Sequence, residues 1–230
     1  MSFVVVESVS KVYQPDGKAS AVRVLADVSA ERGDLAAARA ALARDLVSRR
    51  TEDLAEGQVA SAAVESVAEN LTDGFVAPLC FFLAFGLPGA LVYRAINTAD
   101  AMLGYREGTL EEFGKLAARL DDVLNLIPAR LSAGAIVLAA PFGGGDARRA
   151  FTVMRRDQGL TASPNAGWTM AAMAGGLGVA IEKAGAYRLG DGALPTAGHI
   201  RQSVSIVRRA SAIALVTTAS IAVVLISIFD

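Results

Sequence analysis

The apolar residues of this chain fall in blocks. The cleanest is Ala210–Phe229, ASAIALVTTASIAVVLISIF, which carries no charge. As a helix it is long enough to cross roughly 30 Å of hydrocarbon, and it has no polar face to turn toward water. Arg201, Arg208 and Arg209 precede it and only Asp230 follows. That asymmetry predicts a cytoplasmic loop before the span and an external C-terminus. Phe75–Val92 is apolar throughout but is interrupted by Pro78, Gly86, Pro88 and Gly89. Proline removes a backbone donor and breaks a helix. This block therefore predicts a broken span or two half-helices dipping into the membrane. Leu124–Pro141 is mostly apolar and carries Pro128 and Arg130. A charge at membrane depth is costly and marks a functional position.

Between these blocks the pattern is amphipathic. Val22–Arg50 has helical periodicity, with Leu25, Val28, Leu35, Ala38, Leu42 and Leu46 on the apolar stripe. Val59–Thr72 reads as a helix ending at the turn signal Asp73-Gly74, and Glu111–Asn125 as an amphipathic helix. Gly143-Gly144-Gly145 reads as a loop before a basic stretch of Arg148, Arg149, Arg155 and Arg156, and Gly185–His199 as a Gly/Pro-rich loop. The first 28 residues differ in kind. Phe3–Val6 and Val22–Leu25 predict two short strands around a Pro15-Asp16-Gly17 turn. The stretch resembles the opening hairpin of an ABC-transporter ATPase. The phosphate loop GxxxxGK[ST] that would follow it is absent from the chain, so no P-loop chemistry is implied. Met1–Ser10 lacks the basic and apolar regions of a signal peptide. The reading is a hairpin over 1–28, of the kind a gene fusion leaves behind, and a membrane domain over 29–230.

Composition sharpens this picture. Of 230 residues, 53% are hydrophobic and 20% charged, with a net charge of −1, and the mean hydropathy is +0.42. Such a chain is too apolar for intrinsic disorder. A single cysteine excludes a disulfide scaffold, and the charge balance gives no general affinity for nucleic acid. The abundance of small and β-branched residues suits packed membrane helices. The expected fold class is mainly α: a polytopic α-helical integral membrane protein with a short N-terminal β-hairpin.

Four polar clusters abut the apolar blocks. Glu65 and Glu69 stack one turn apart on a helix face, with Asn70 and Asp73 at its end. Like charges at that spacing repel, so a divalent cation or cationic partner is the natural compensation. Mg²⁺ takes one or two carboxylates and leaves its other positions to water and phosphate. Tyr93-Arg94, Asn97, Asp100 and Tyr105 form the second cluster. Arg119, Asp121, Asp122, Asn125 and Arg130 form the third, a candidate metal–phosphate site. Ser163-Pro164-Asn165-Ala166-Gly167-Trp168 is a turn that sets amide donors at a helix start. His199, the lone histidine, reads as a loop residue. With no His or Cys partner it supports neither a zinc site nor a Ser/His triad.

Read together, ESVAENLTDGFVAPL (Glu65–Leu79), YRAINTADAMLGY (Tyr93–Tyr105), ARLDDVLNLIPARL (Ala118–Leu131) and SPNAGW…AMAGGLGV (Ser163–Val179) resemble the CobD/CbiB family of cobalamin biosynthesis. LGDG (Leu189–Gly192) and the Arg-flanked final span fit as well, so the likeness runs from about residue 22 to 229. The resemblance implies a membrane enzyme, adenosylcobinamide-phosphate synthase. It joins a carboxyl of adenosylcobyric acid to the amine of aminopropanol or its phosphate, with ATP and Mg²⁺. By the same resemblance Glu65, Glu69, Asp73, Asp100, Asp121 and Asp122 are the catalytic candidates. Glu69, Asp121 and Asp122 would hold the metal. Asn70, Arg94, Asn97, Arg119, Asn125, Arg130, Asn165 and Trp168 would bind substrate. Membrane lipid and other corrinoid-biosynthesis proteins are the implied partners, in the cell membrane with the site on the cytoplasmic side.

Two departures from the family pattern stand out. Thr169-Met170 replaces the Pro-Glu that usually follows the tryptophan, and the family's N-terminal membrane portion is not seen. The rival expectations are a non-catalytic remnant or scaffold of a corrinoid-enzyme complex and a Mg-dependent membrane prenyltransferase. Topology adds a tension. If Phe75–Val92 and Leu124–Pro141 each crossed once, Asp100 and Asp121 would lie opposite the basic Arg148/Arg149 loop. A re-entrant Phe75–Val92 removes that conflict.

Overall fold

The computed structural model describes residues 35–47, 50–103 and 111–229. The expected hairpin over 1–28, and the part of the Val22–Arg50 helix before residue 35, lie outside the described residues. The chain is mainly helical. Its elements are α1 (Leu35–Asp45), α2 (Glu56–Leu71), a π-helical turn (Thr72–Val76), α3 (Ala77–Leu103), α4 (Glu111–Leu124), α5 (Leu126–Ala139), a 3₁₀ turn (Pro141–Gly143), α6 (Ala147–Asp157), α7 (Ala166–Leu177), strands β1 (Ile181–Lys183) and β2 (Tyr187–Leu189), and α8 (Ala197–Phe229).

The core is built on small residues. α2 is buried from Val59 to Ala68, an alanine- and serine-rich run that lets α7, α8 and β1 approach closely. The Ala55 N–H at its start donates to Gln58 Oε1 at 3.0 Å, satisfying one of the donors a helix start leaves over. α6 and α7 pack closely. A Cβ on Gly175 would stand 2.5 Å from the Arg149 carbonyl oxygen, so only glycine permits this contact. β1 and β2 form a two-stranded antiparallel hairpin that pairs Ile181 with Leu189. It is pinned to α2 by Ser61 Oγ, which accepts from Glu182 N–H at 2.7 Å and donates to its carbonyl at 3.1 Å.

Several boundaries differ from expectation. Asp73-Gly74 does not end a helix; the chain runs through the π-helical turn directly into α3. The predicted Gly185–His199 loop contains β2 and the start of α8. His199 therefore sits on the first turn of α8, where its Nδ1 accepts from the Thr196 N–H at 3.0 Å. Arg201, Arg208 and Arg209 lie on the same helix as the final apolar block rather than in a loop before it. Pro128 does not break α5, because it occupies the first turn, where its missing N–H would have no partner.

Among the described residues two stretches are long and apolar enough to cross a membrane, 56–102 and 197–221, and a third if α4 and α5, bent by 53°, count as one. The first is not straight. Gly86 has φ 66° and ψ −161°, a conformation essentially confined to glycine. Beyond it α3 turns back, and the Phe81 and Tyr93 rings stack with centroids 5.1 Å apart.

Candidate functional site

The fold-back of α3 brings its base against α4, next to the π-helical turn. There five of the expected residues, Asp73, Arg94, Asn97, Asp121 and Asn125, interlock. Asn125, 3% exposed, donates its amide to Asp121 Oδ2 at 3.0 Å and to Asp73 Oδ1 at 3.3 Å. Its own Oδ1 accepts from the Tyr93 hydroxyl at 3.0 Å. Asn97 Nδ2 donates to the other oxygen of Asp121 at 3.1 Å. Arg94 Nη1 reaches Asn97 Oδ1 at 3.2 Å and the Asp73 carbonyl at 3.4 Å. Asp100, one turn beyond Asn97, lies within electrostatic reach of Asp73. Two carboxylates are thus bridged by the Asn125 amide, with the Arg94 guanidinium alongside. Tyr93, fully buried, stands in the second polar cluster of the sequence but had no role among the expected site residues. Its place directly before Arg94 and one turn before Asn97 was the available signal.

A second group forms at the α4–α5 bend. Asp122 Oδ1 accepts from Ser163 Oγ at 3.0 Å, and its carbonyl accepts from Asn165 Nδ2 at 2.7 Å. Asn165 Oδ1 accepts from Arg130 Nη1 at 3.3 Å. The Arg130 guanidinium lies over the Trp168 ring, 4.7 Å from its centroid, a cation–π contact. The Trp168 indole N–H is buried without a hydrogen-bond partner among the described residues. Asn165 starts α7, as the turn signal predicted, but its amide braces Asp122 and Arg130 instead of standing open. Thr169 and Met170, where the family pattern has Pro-Glu, are both buried.

The adjacent acids Asp121 and Asp122 therefore serve different groups. Neighbours on a helix point about 100° apart, so the expected carboxylate pair is divided. Among the described residues no three Asp, Glu, His or Cys side chains gather as a metal-binding group. Glu69, Asp121 and Asp122 are accordingly not assembled as one ligand set. Glu65 is buried in α2 and Glu69 lies one turn further on. Asn70 turns its amide back on Ser66, donating to the carbonyl at 2.7 Å and the hydroxyl at 3.2 Å. Arg119 is exposed on α4. The donor chemistry that does assemble, Asp73 and Asp121 with Arg94 alongside, suits Mg²⁺ that keeps water and phosphate in its remaining positions.

A third polar network joins α6 to the loop after β2. Asp157, 4% exposed, accepts from Arg156 Nε and Nη2 at 2.6 and 2.9 Å and from the Gly190 N–H at 2.7 Å. Hydrogen bonding to Arg156 holds the Asp157 carboxyl below the usual carboxylate range against the opposing effect of burial, helped by the Gly190 N–H. Arg156 also bridges to Asp191 at 3.0 Å. This network fixes the LGDG segment.

Comparison with known proteins agrees with these motifs. The family model described as CobD/Cbib protein matches residues 17–216. The chain is 56% identical over 165 residues to "Cobalamin biosynthesis protein CobD" of Dehalococcoides mccartyi, covering 72% of this chain and 53% of that protein. It is 46% identical over 162 residues to "Probable cobalamin biosynthesis protein CobD" of Methanocaldococcus jannaschii, covering 70% and 52%. It is 49% identical over 146 residues to the protein of the same name from Methanothermobacter thermautotrophicus, covering 64% and 49%. The matched region is about half the length of these relatives. No solved structure matches the chain. A family match over most of the chain, containing all four acid–amide motifs, means that the chain belongs to the CobD/CbiB family.

Proposed function

We propose that the chain acts in cobalamin biosynthesis as a membrane-embedded amide ligase. It would join adenosylcobyric acid to aminopropanol or its phosphate to give adenosylcobinamide or its phosphate. The observation that carries this reading is the Asn125 amide, which spans the carboxylates of Asp73 and Asp121. Bound ATP with Mg²⁺ would supply the phosphoryl group that makes a carboxylate oxygen able to leave. Phosphoryl transfer depends on positioning and charge neutralisation more than on covalent help. Asp73 and Asp121 would hold the cation, and Arg94 would reach phosphate oxygens. Asn97 and Asn125 would keep both carboxylates fixed, so that no reorganisation is needed when charge shifts. Arg130, stacked on Trp168, would present a second cationic surface across the α4–α5 bend. The long apolar helices support a cell-membrane location, and a phosphoryl donor from the cytoplasm requires the site on that side.

The test is formation of adenosylcobinamide phosphate by purified protein in detergent. The mixture contains adenosylcobyric acid, ATP, Mg²⁺ and aminopropanol phosphate. Asp121→Asn should lower the rate about 100-fold, while Lys183→Ala on the β1–β2 hairpin should not. Full activity of Asp121→Asn would refute this use of the site.

A further inference from the structure

The ligation chemistry makes no use of the tip of α3, and the tip has a shape of its own. From Phe75 to Tyr93 there is no charged residue, and Asp73 and Arg94 stand just beyond the two ends. Those ends meet: Arg94 Nη1 lies 3.4 Å from the Asp73 carbonyl oxygen. Along one straight helix Phe81 and Tyr93 would be about 18 Å apart, yet their rings stack. Gly86 makes the reversal at positive φ. Gly89 lets the second arm close on the first, since a Cβ there would sit 2.7 Å from the Phe81 carbonyl oxygen. Residues 77–85 rise about 14 Å, roughly half of the 30 Å hydrocarbon core. Phe82, Phe85, Leu87, Leu91 and Val92 are all exposed on this hairpin, Phe85 at 67%.

We infer that α3 is a re-entrant wedge seated among the acyl chains of one leaflet, entering and leaving on the same side. The occupant of the apolar face is lipid rather than a protein partner. A protein interface carries a polar rim around its apolar centre, whereas every charge here stands at the base. The half-bilayer length and the helical backbone of both arms are what hydrocarbon demands. The Asp73–Asn97–Asp121–Asn125 site then lies at the headgroup level of that leaflet, with both flanks of the wedge facing one aqueous phase. The inference rests on the membrane reading but not on the ligation chemistry.

The test uses the full chain with Cys80→Ser, which removes the only cysteine. Gly74→Cys and Thr98→Cys are introduced singly and treated with a membrane-impermeant maleimide in sealed, oriented vesicles. Both should label from the same side. Labelling from opposite sides would mean a full crossing and would overturn the wedge. Independently, Phe85→Cys and Leu87→Cys, both at exposed positions, carry an environment-sensitive fluorophore. Quenching by nitroxides deep in the acyl chains should exceed quenching by aqueous iodide several-fold. Stronger quenching by iodide would overturn the insertion, whether or not the protein makes amide bonds.

Discussion

At the scale of single residues, Asn125 matters more than its neutral side chain suggests. It satisfies the buried Tyr93 hydroxyl and stands between two carboxylates. Asn125→Ala should cost about 1–3 kcal/mol of stability by leaving buried polar groups unpaired. It should also lower ligase activity about 10- to 100-fold by loosening both acids. Thermal unfolding in detergent and the amide-forming assay check the two effects separately. Asp157 supports a prediction about pH. Its carboxyl is held below its ordinary value of about 3.9 by Arg156. Its contribution is therefore fully present above that ordinary value and is lost as pH falls through the depressed one. Asp157→Asn should lower the melting temperature most near neutrality. The gap to the parent protein should close below about pH 4; a gap independent of pH would contradict the assignment. The candidate residues stand out in the sequence as acids and amides beside apolar blocks. Their grouping does not. Asp121 and Asp122 look like one site in a string of letters, but a helix turns them toward different neighbours.

At the scale of elements, the helices were legible wherever one face alone is apolar, as in α4, or where a long block has no charge, as in α8. Boundaries were not. Asp73-Gly74 has the composition of a turn, but the residues that follow are apolar enough for the helix to continue, and the chain widens into a π-helical turn instead of stopping. β1 and β2 escaped notice because strands this short carry too few residues to show a period of two. The α6–α7 contact gives the prediction at this scale. Gly175→Ala forces a Cβ toward the Arg149 carbonyl, with Ala150 Cα at 2.8 Å behind it. Backbone cannot give way as a side chain can. A loss of about 1–3 kcal/mol is expected, read as a lower melting temperature, whereas Gly134→Ala, which meets nothing within 4 Å, should be neutral or stabilising.

At the scale of the whole molecule, α8 leaves the core and continues as an exposed apolar rod. Val216 and Val223 are 66% and 63% exposed, so burial within the protein does not explain their character. Val216→Lys should raise the cost of insertion by about 2.5–3.5 kcal/mol. Its measure is a fall in the fraction retained in carbonate-washed membranes, with Val216→Leu as control. The π-helical turn at Thr72–Val76 sets the relation between the packed body and the wedge. A helix advances about 100° per residue, so this turn works as a phase setting between two rotors. Deleting Thr72 would leave the hydropathy profile almost unchanged. Asp73 and the whole of α3 would nevertheless swing by roughly a quarter turn about α2. The site's geometry is therefore written in a count of residues as much as in their kinds.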